Sequence, residues 1–334
     1  MAAPDERSMK VFYYLLFCLG ALAAALTIGA YPLTLSQIIT LLFSSASSLS
    51  DPQPGIVFWQ IRLPRILAAL LIGAGLSGAG TAYQSMFRNP LVSPDILGVS
   101  ASAGLGACLA IWLDLPLFFV QAMAFSGGLL VVALVNLTAR FARTHDPVLS
   151  LVLTGIAWGT LSGAAISLIK TLADPYTQLP GITFWLLGGL SGITPEDLVS
   201  ASVGIALGLL PLLLLRWRLN LLSLPDEEAQ IMGVNVRQLR AVCILSATLI
   251  TASAVAVAGI IGWVGLVIPH ISRLLAGADH RRLLPASLFY GGLFLLCTDT
   301  LARSVNKTEV PLGIITAFIG APFFIALLLQ GVKR

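Results

Sequence analysis

Long apolar runs recur along this chain from residue 11 almost to its end, and they decide which solvent it folds in. The runs fall near 11–30, 63–87, 94–112, 117–139, 148–171, 196–215, 239–261, 264–276, 284–302 and 310–330. A helix needs about 20 apolar residues to cross the hydrocarbon core of a bilayer. All of these runs come close to that length except 264–276, which also contains Pro269; its backbone needs shielding by neighbouring helices. Charge supports the same reading. Only 10% of the residues are charged, where a soluble domain carries about 25%. The mean hydropathy is +0.94. The expected fold is therefore all-α, one polytopic membrane domain over residues 1–334 with about ten transmembrane helices and the lipid bilayer as its surroundings. The net charge of +4 is scattered rather than gathered in a stripe, so no nucleic-acid partner is expected.

Lysine and arginine set the orientation. With the N-terminus cytoplasmic, 14 of the 19 basic residues lie inside, and only Arg62, Arg65, Lys170, Arg303 and Lys307 lie outside. The even number of helices brings the C-terminus back to the cytoplasmic side. The run 11–30 is too long for the core of a signal peptide and reads as a retained first helix. In the second run, Gly73/Ser77, Ala74/Gly78 and Gly75/Ala79 stand four residues apart. That spacing lets helix backbones approach closely, either for packing or to line a pathway.

Catalytic chemistry is thinly represented. There is no GxxxxGK phosphate loop, no HExxH and no CxxC, so no catalytic residue, resident metal or cofactor is expected. Cys18, Cys108, Cys243 and Cys297 lie in apolar stretches and read as small hydrophobes rather than disulfide partners. Carboxylates fall near segment ends, so no proton relay of the kind used by ion-coupled secondary transporters can be drawn. Energy for any transport is expected from another polypeptide.

Two features stand out. Arg62-Leu63-Pro64-Arg65 opens the second run and Arg303 closes the ninth, all on the outer side. Read as a helix start, the pair opposes both the helix dipole and the topology rule. These arginines suggest a basic outer surface that either docks carboxylates of a partner or anchors lipid headgroups. The second feature is the polar segment LLSLPDEEAQIMGVNVRQ, 221–238. Pro225 can start a short helix, acidic residues suit its first turn and Gly233 can end it. It is either a plug for a cytoplasmic subunit or a solvated connector.

The run RLPRILAALLIGAGLSGAGTAYQSMFRNPLVSPDILGVSASAGLG, from Arg62 to Gly106, resembles the signature region of FecCD-type ABC permeases. The likeness continues in FWLLGGLSG (184–192), GIIGWVGLVIPHISR (259–273) and PLGIITAFIGAPFFIALLL (311–329). The resemblance implies a type II ABC importer permease of the bacterial inner membrane, serving iron–siderophore, haem or vitamin B12 uptake, with molybdate a further possibility. It implies a dimer, most simply a homodimer with a second permease copy, two cytoplasmic ABC ATPase subunits and a periplasmic substrate-binding protein. ATP hydrolysis would belong to the ATPase subunits. Arg62, Arg65 and Arg303 are then the binding-protein docking residues. Residues 222–234 carry the coupling helices, with Glu227, Glu228, Ala229 and Gly233 at the coupling positions. Residues 173–194 form a periplasmic vestibule loop. The inner gate falls at Asp146 to Ser150, and Thr154, Gly155, Gly159 and Ser162 either line the translocation path or serve packing. An iron(III)–siderophore is the first expectation for the ligand, ahead of haem, cobalamin and molybdate. An ion-coupled secondary transporter is the remote alternative.

Overall fold

The computed structural model describes residues 6–43, 52–142, 146–305 and 309–331. Arg143, His145, Lys307, Lys333 and Arg334 lie outside the described residues, as do the side chains of Arg7 and Lys10. The described chain is all-helical. Its elements are α1 (Glu6–Thr27), α2 (Leu35–Phe43), α3 (Gln53–Met86), α4 (Val99–Trp112), α5 (Leu117–Phe141), α6 (Pro147–Leu172), α7 (Gln178–Leu187), α8 (Pro195–Leu214), α9 (Asp226–Ile231), α10 (Val236–Ala258), α11 (Val264–Ala276), α12 (His280–Val305) and α13 (Leu312–Gly331). Each of the ten apolar runs is one of these helices. Six helices (α3, α5, α6, α8, α10 and α12) are long and apolar enough to cross a bilayer, and α1, α4, α11 and α13 contribute shorter apolar stretches.

Local chemistry sets the ends. Asp146 caps α6, accepting from the Val148 and Leu149 amides at 2.8 and 3.3 Å. Thr194 and Asp197 form a reciprocal capping box on α8. Between α6 and α7, the Asp174 carboxylate accepts from the Thr177 hydroxyl and from the amides of Thr177 and Tyr176. Those bonds hold its pKa below the usual carboxylate value.

The second helix begins at Gln53 rather than at 63. Pro64 lacks an amide hydrogen and would clash with the preceding turn of a regular helix. The backbone widens instead into a π-helical stretch over Val57–Arg62, where the Leu63 amide bonds back to Phe58 O. Pro64 is thereby absorbed inside one continuous helix.

The core is built around α3 and α10, which are buried on most sides, whereas α6 is left largely open. α3 and α12 run antiparallel, with Arg65 beside Asp299 at one end and Ser85 beside His280 at the other. Their contact depends on absent side chains: a Cβ on Gly73 would lie 2.2 Å from Gly291 O. α11 approaches α3 just as closely, since a Cβ on Gly80 would fall 1.8 Å from Gly265 O. Gln84 seals this contact by donating to Leu266 O at 3.1 Å. The small residues spaced by four in α3 therefore serve close packing, and the short α11 is shielded as its length requires.

Candidate functional site

Arg62, Arg65 and Arg303 converge where α3 and α12 meet the end of α1. They do not form an open basic surface: they are only 4%, 5% and 8% exposed. The physical reason is the early start of α3. Arg62 and Arg65 sit inside a helix rather than at its positive end, so the dipole objection to them disappears. Arg65 Nε donates to Asp299 Oδ1 at 2.9 Å, and its Nη1 pairs with Glu309 Oε1 at 2.8 Å. Arg303, one turn beyond Asp299, brings Nε to 3.1 Å from Asp299 Oδ2. Arg62 donates to Leu26 O and Tyr31 O at 2.6 and 2.8 Å. Arg303 donates to Ile28 O and Ala25 O at 3.0 and 3.3 Å. Two guanidinium groups thus close the C-terminal end of α1, where carbonyls lack helical partners and the dipole favours cations.

Three arginines face two carboxylates here, which leaves one positive charge in excess. Sequence reading missed Asp299 and Glu309 as partners. The four-residue step from Asp299 to Arg303 was the available signal. Glu309 is the open member of the cluster, with a side chain 35% exposed.

Beside Arg65 and Glu309 lies a cavity of about 580 Å³ walled by Trp185, Gly188, Ser191, Gly259 and Val310. Three separate stretches knit its floor. The Gly189 amide donates to Ala258 O at 2.8 Å, and the Leu312 amide donates to Gly188 O at 2.9 Å. Gly188 and Gly259 have φ of +69° and +65°, and a Cβ on Gly259 would sit 2.2 Å from Trp185 O. Glycine alone meets both demands. The stretches 184–192, 259–273 and 311–329, distant in sequence, meet at this floor. Residues 173–194 thus contain a helix, α7, along one wall.

At the opposite end, α9 carries Glu227 and Glu228 on its exposed side. Ala229 is buried against the bundle, and Gly233 turns the chain with φ +81°. The residues most open to a partner are ones the sequence reading passed over: Ile231 and Met232 are 86% and 62% exposed.

The residues expected along α6 are divided by the structure. Ser150 is buried and donates to Ala139 O at 3.1 Å, and Thr154 Oγ1 donates to Ser150 O at 2.7 Å. A Cβ on Gly155 would meet Ile96 O at 2.5 Å, and one on Gly159 would meet Gly98 Cα at 3.3 Å. Ser162 and Ser102 share a hydrogen bond of 2.7 Å. Gly155, Gly159 and Ser162 are small because the turn 94–98 and α4 pack on them. The open side of α6 is another one, on which Ala157, Thr160, Ala164 and Thr171 are exposed together with the larger Leu153, Ile156, Leu161 and Leu168. Thr160 and Thr171 satisfy their hydroxyls on Ile156 O and Ser167 O.

The family model for the FecCD transport family matches residues 15–330. The chain belongs to that family. It is 40% identical over 334 residues to the molybdate import system permease protein MolB of Haemophilus influenzae, covering 99% of this chain and 98% of the relative. It is 39% identical over 281 residues to the hemin transport system permease protein HmuU of Yersinia pestis, covering 82% of this chain and 83% of the relative. A solved inward-facing structure of an ABC transporter assigned to the metal-chelate type superimposes with a TM-score of 0.85 at 39% identity, over 96% of this chain and 99% of that one. The FecCD chain described here is thus an all-helical, multi-pass membrane protein of a transport family.

Proposed function

We propose that this FecCD chain is the permease subunit of an ABC importer that carries an intact metal-containing ligand across the bacterial inner membrane. The observation that carries this reading is the near-complete superposition on an ABC transporter assigned to the metal-chelate type. In this reading both termini are cytoplasmic, following the excess of basic residues on that side. The arginine cluster and its cavity face the periplasm, and α9 faces the cytoplasm. Two copies meet so that the open side of α6 lines the path between them. A binding protein docks on the periplasmic face through carboxylates. Arg65 receives one of them by exchanging its half-open Glu309 partner for the incoming carboxylate, while Arg62 and Arg303 hold the end of α1 in place. ATP is hydrolysed on separate subunits that seat α9, with Ile231 and Met232 as the apolar anchors and Glu227 and Glu228 beside them.

Changing Ile231 and Met232 together to glutamate is expected to abolish co-purification of the ATPase subunits while leaving permease yield unchanged. Retention of the ATPase at wild-type ratio would remove these two residues from the docking surface.

An iron(III) chelate is the first ligand of this proposal. Molybdate is the second, favoured by the relative that aligns over almost the whole chain. Uptake of radioactive iron, supplied as several siderophores and as haem, and of radioactive molybdate should be compared in a strain lacking the gene, with and without complementation. Gene-dependent uptake of one ligand identifies the cargo. Gene-independent uptake of all of them would overturn the assignment to metal import.

A further inference from the structure

We infer that Asp226 is the positioning residue that transmits movement of the α9 segment into the membrane bundle, a role that rests on the proposed seating of α9 in an ATPase subunit.

The geometry places this carboxylate at a junction of three elements. Asp226 opens α9. Its Oδ1 accepts from Arg88 Nη2 at 2.6 Å and from Arg240 Nη2 at 2.7 Å, and its Oδ2 accepts from Arg240 Nη1 at 2.7 Å. Arg88 lies two residues beyond the end of α3, and Arg240 lies in the first turns of α10. These two helices form the buried centre of the bundle. Arg88 also donates through Nε to Leu222 O at 3.0 Å, so one guanidinium grips the polar segment at two points. It does so with φ +51°, a left-handed conformation that a residue with a Cβ adopts only where surrounding bonds hold it.

The two-pronged pairing of Arg240 with both oxygens fixes the direction of the carboxylate as well as its charge. The anchor and the partner-facing residues are separate: Asp226 is turned to Arg88 and Arg240 at the end of the bundle, while Ile231 and Met232, five and six residues on, are exposed. A force applied at Ile231 and Met232 therefore reaches the membrane helices through Asp226. α3 continues from this clasp to Arg65 at the opposite face. One continuous helix joins the two ends of the molecule. Asp226 and Arg88 are both partly open to solvent, where a pair contributes little to stability, whereas Arg240 is largely buried. Asp226→Asn keeps an oxygen acceptor for Arg240 while removing the charge, and is therefore expected to spare the fold and act on coupling.

The test uses the complete transporter, permease with its ATPase subunits and binding protein, reconstituted in lipid. The readout is the ratio of ATP turnover with loaded binding protein to turnover without it, per assembled complex, together with ligand uptake. Asp226→Asn is expected to keep the wild-type subunit ratio and to lower the stimulation ratio and uptake by tenfold or more. Reversing the whole clasp, Asp226→Arg with Arg88→Asp and Arg240→Asp, is expected to recover most of the stimulation, because attraction is restored with the charges exchanged. Normal stimulation and uptake by Asp226→Asn would overturn the inference, whatever its yield. Failure of the wild-type permease to bind an ATPase at all would sink the proposed function itself, and the role of Asp226 with it.

Discussion

Asp299→Ala is expected to destabilise the protein by about 3–5 kcal/mol, the range found when one partner is removed from a buried ion pair. Asp299 is fully buried and is shared by Arg65 and Arg303, themselves nearly buried. Its removal leaves Arg65 with Glu309 alone and Arg303 with main-chain carbonyls. The excess charge at this site rises from one to two where little water can reach it. Thermal unfolding of the purified protein in detergent, followed by the onset of aggregation, measures the loss. The double variant Asp299→Leu with Arg65→Met should recover part of it, since it returns the excess charge from two to one while Arg303 keeps its main-chain partners. A change below about 1 kcal/mol in Asp299→Ala would mean that water screens the cluster as it does a surface pair. In that case the arginine face carries little of the fold's stability.

Gly80→Ala is expected to cost more than its single methyl group suggests. The added Cβ would stand 1.8 Å from Gly265 O, and the obstacle is main chain on both sides. No rotamer change relieves that, so α3 and α11 must separate. Overpacking in a dense core costs about 1–3 kcal/mol even where side chains can shift. Here the expected outcome lies at or above the top of that range, read as loss of monodisperse protein and a fall in unfolding temperature. Gly163→Ala is the matched control. It lies inside α6, where an added Cβ meets nothing within 4 Å, and alanine is the better helix former by about 1 kcal/mol. Stability should be unchanged or slightly raised. Equal losses at both positions would show that the close approach of α3 to α11 is not what requires Gly80.

The arginines show how sequence and structure divide the information. Their side of the bundle follows from the pattern of charge, and their unusual position from the topology rule. Their surroundings do not. The pairing of Arg65 joins residues 234 positions apart with Asp299, and nothing local in either segment encodes that distance. Pro64 read locally as a helix start, a common place for proline. Only the neighbouring helices hold the wide turn that lets α3 run through it. The same holds on α6, where Gly155, Gly159 and Ser162 suggested a low-bulk path. Which side of a helix is open depends on where its neighbours lie, and in this chain the turn 94–98 and α4 cover that side. α9 was visible as an acidic turn, but Ile231 and Met232 were hidden among many apolar residues until their exposure singled them out.

The sequence by itself determined the solvent, the helical class, the ten apolar elements and the family. Hydrophobic run length and scarce charge are properties of single segments, and the glycine-rich motifs survive as ordered strings. The tertiary structure decided which charges meet, which glycines touch backbone and which helix face stays open. Those depend on contacts between segments far apart in the chain, where ion pairing and close packing act over a few ångströms and carry no local signature.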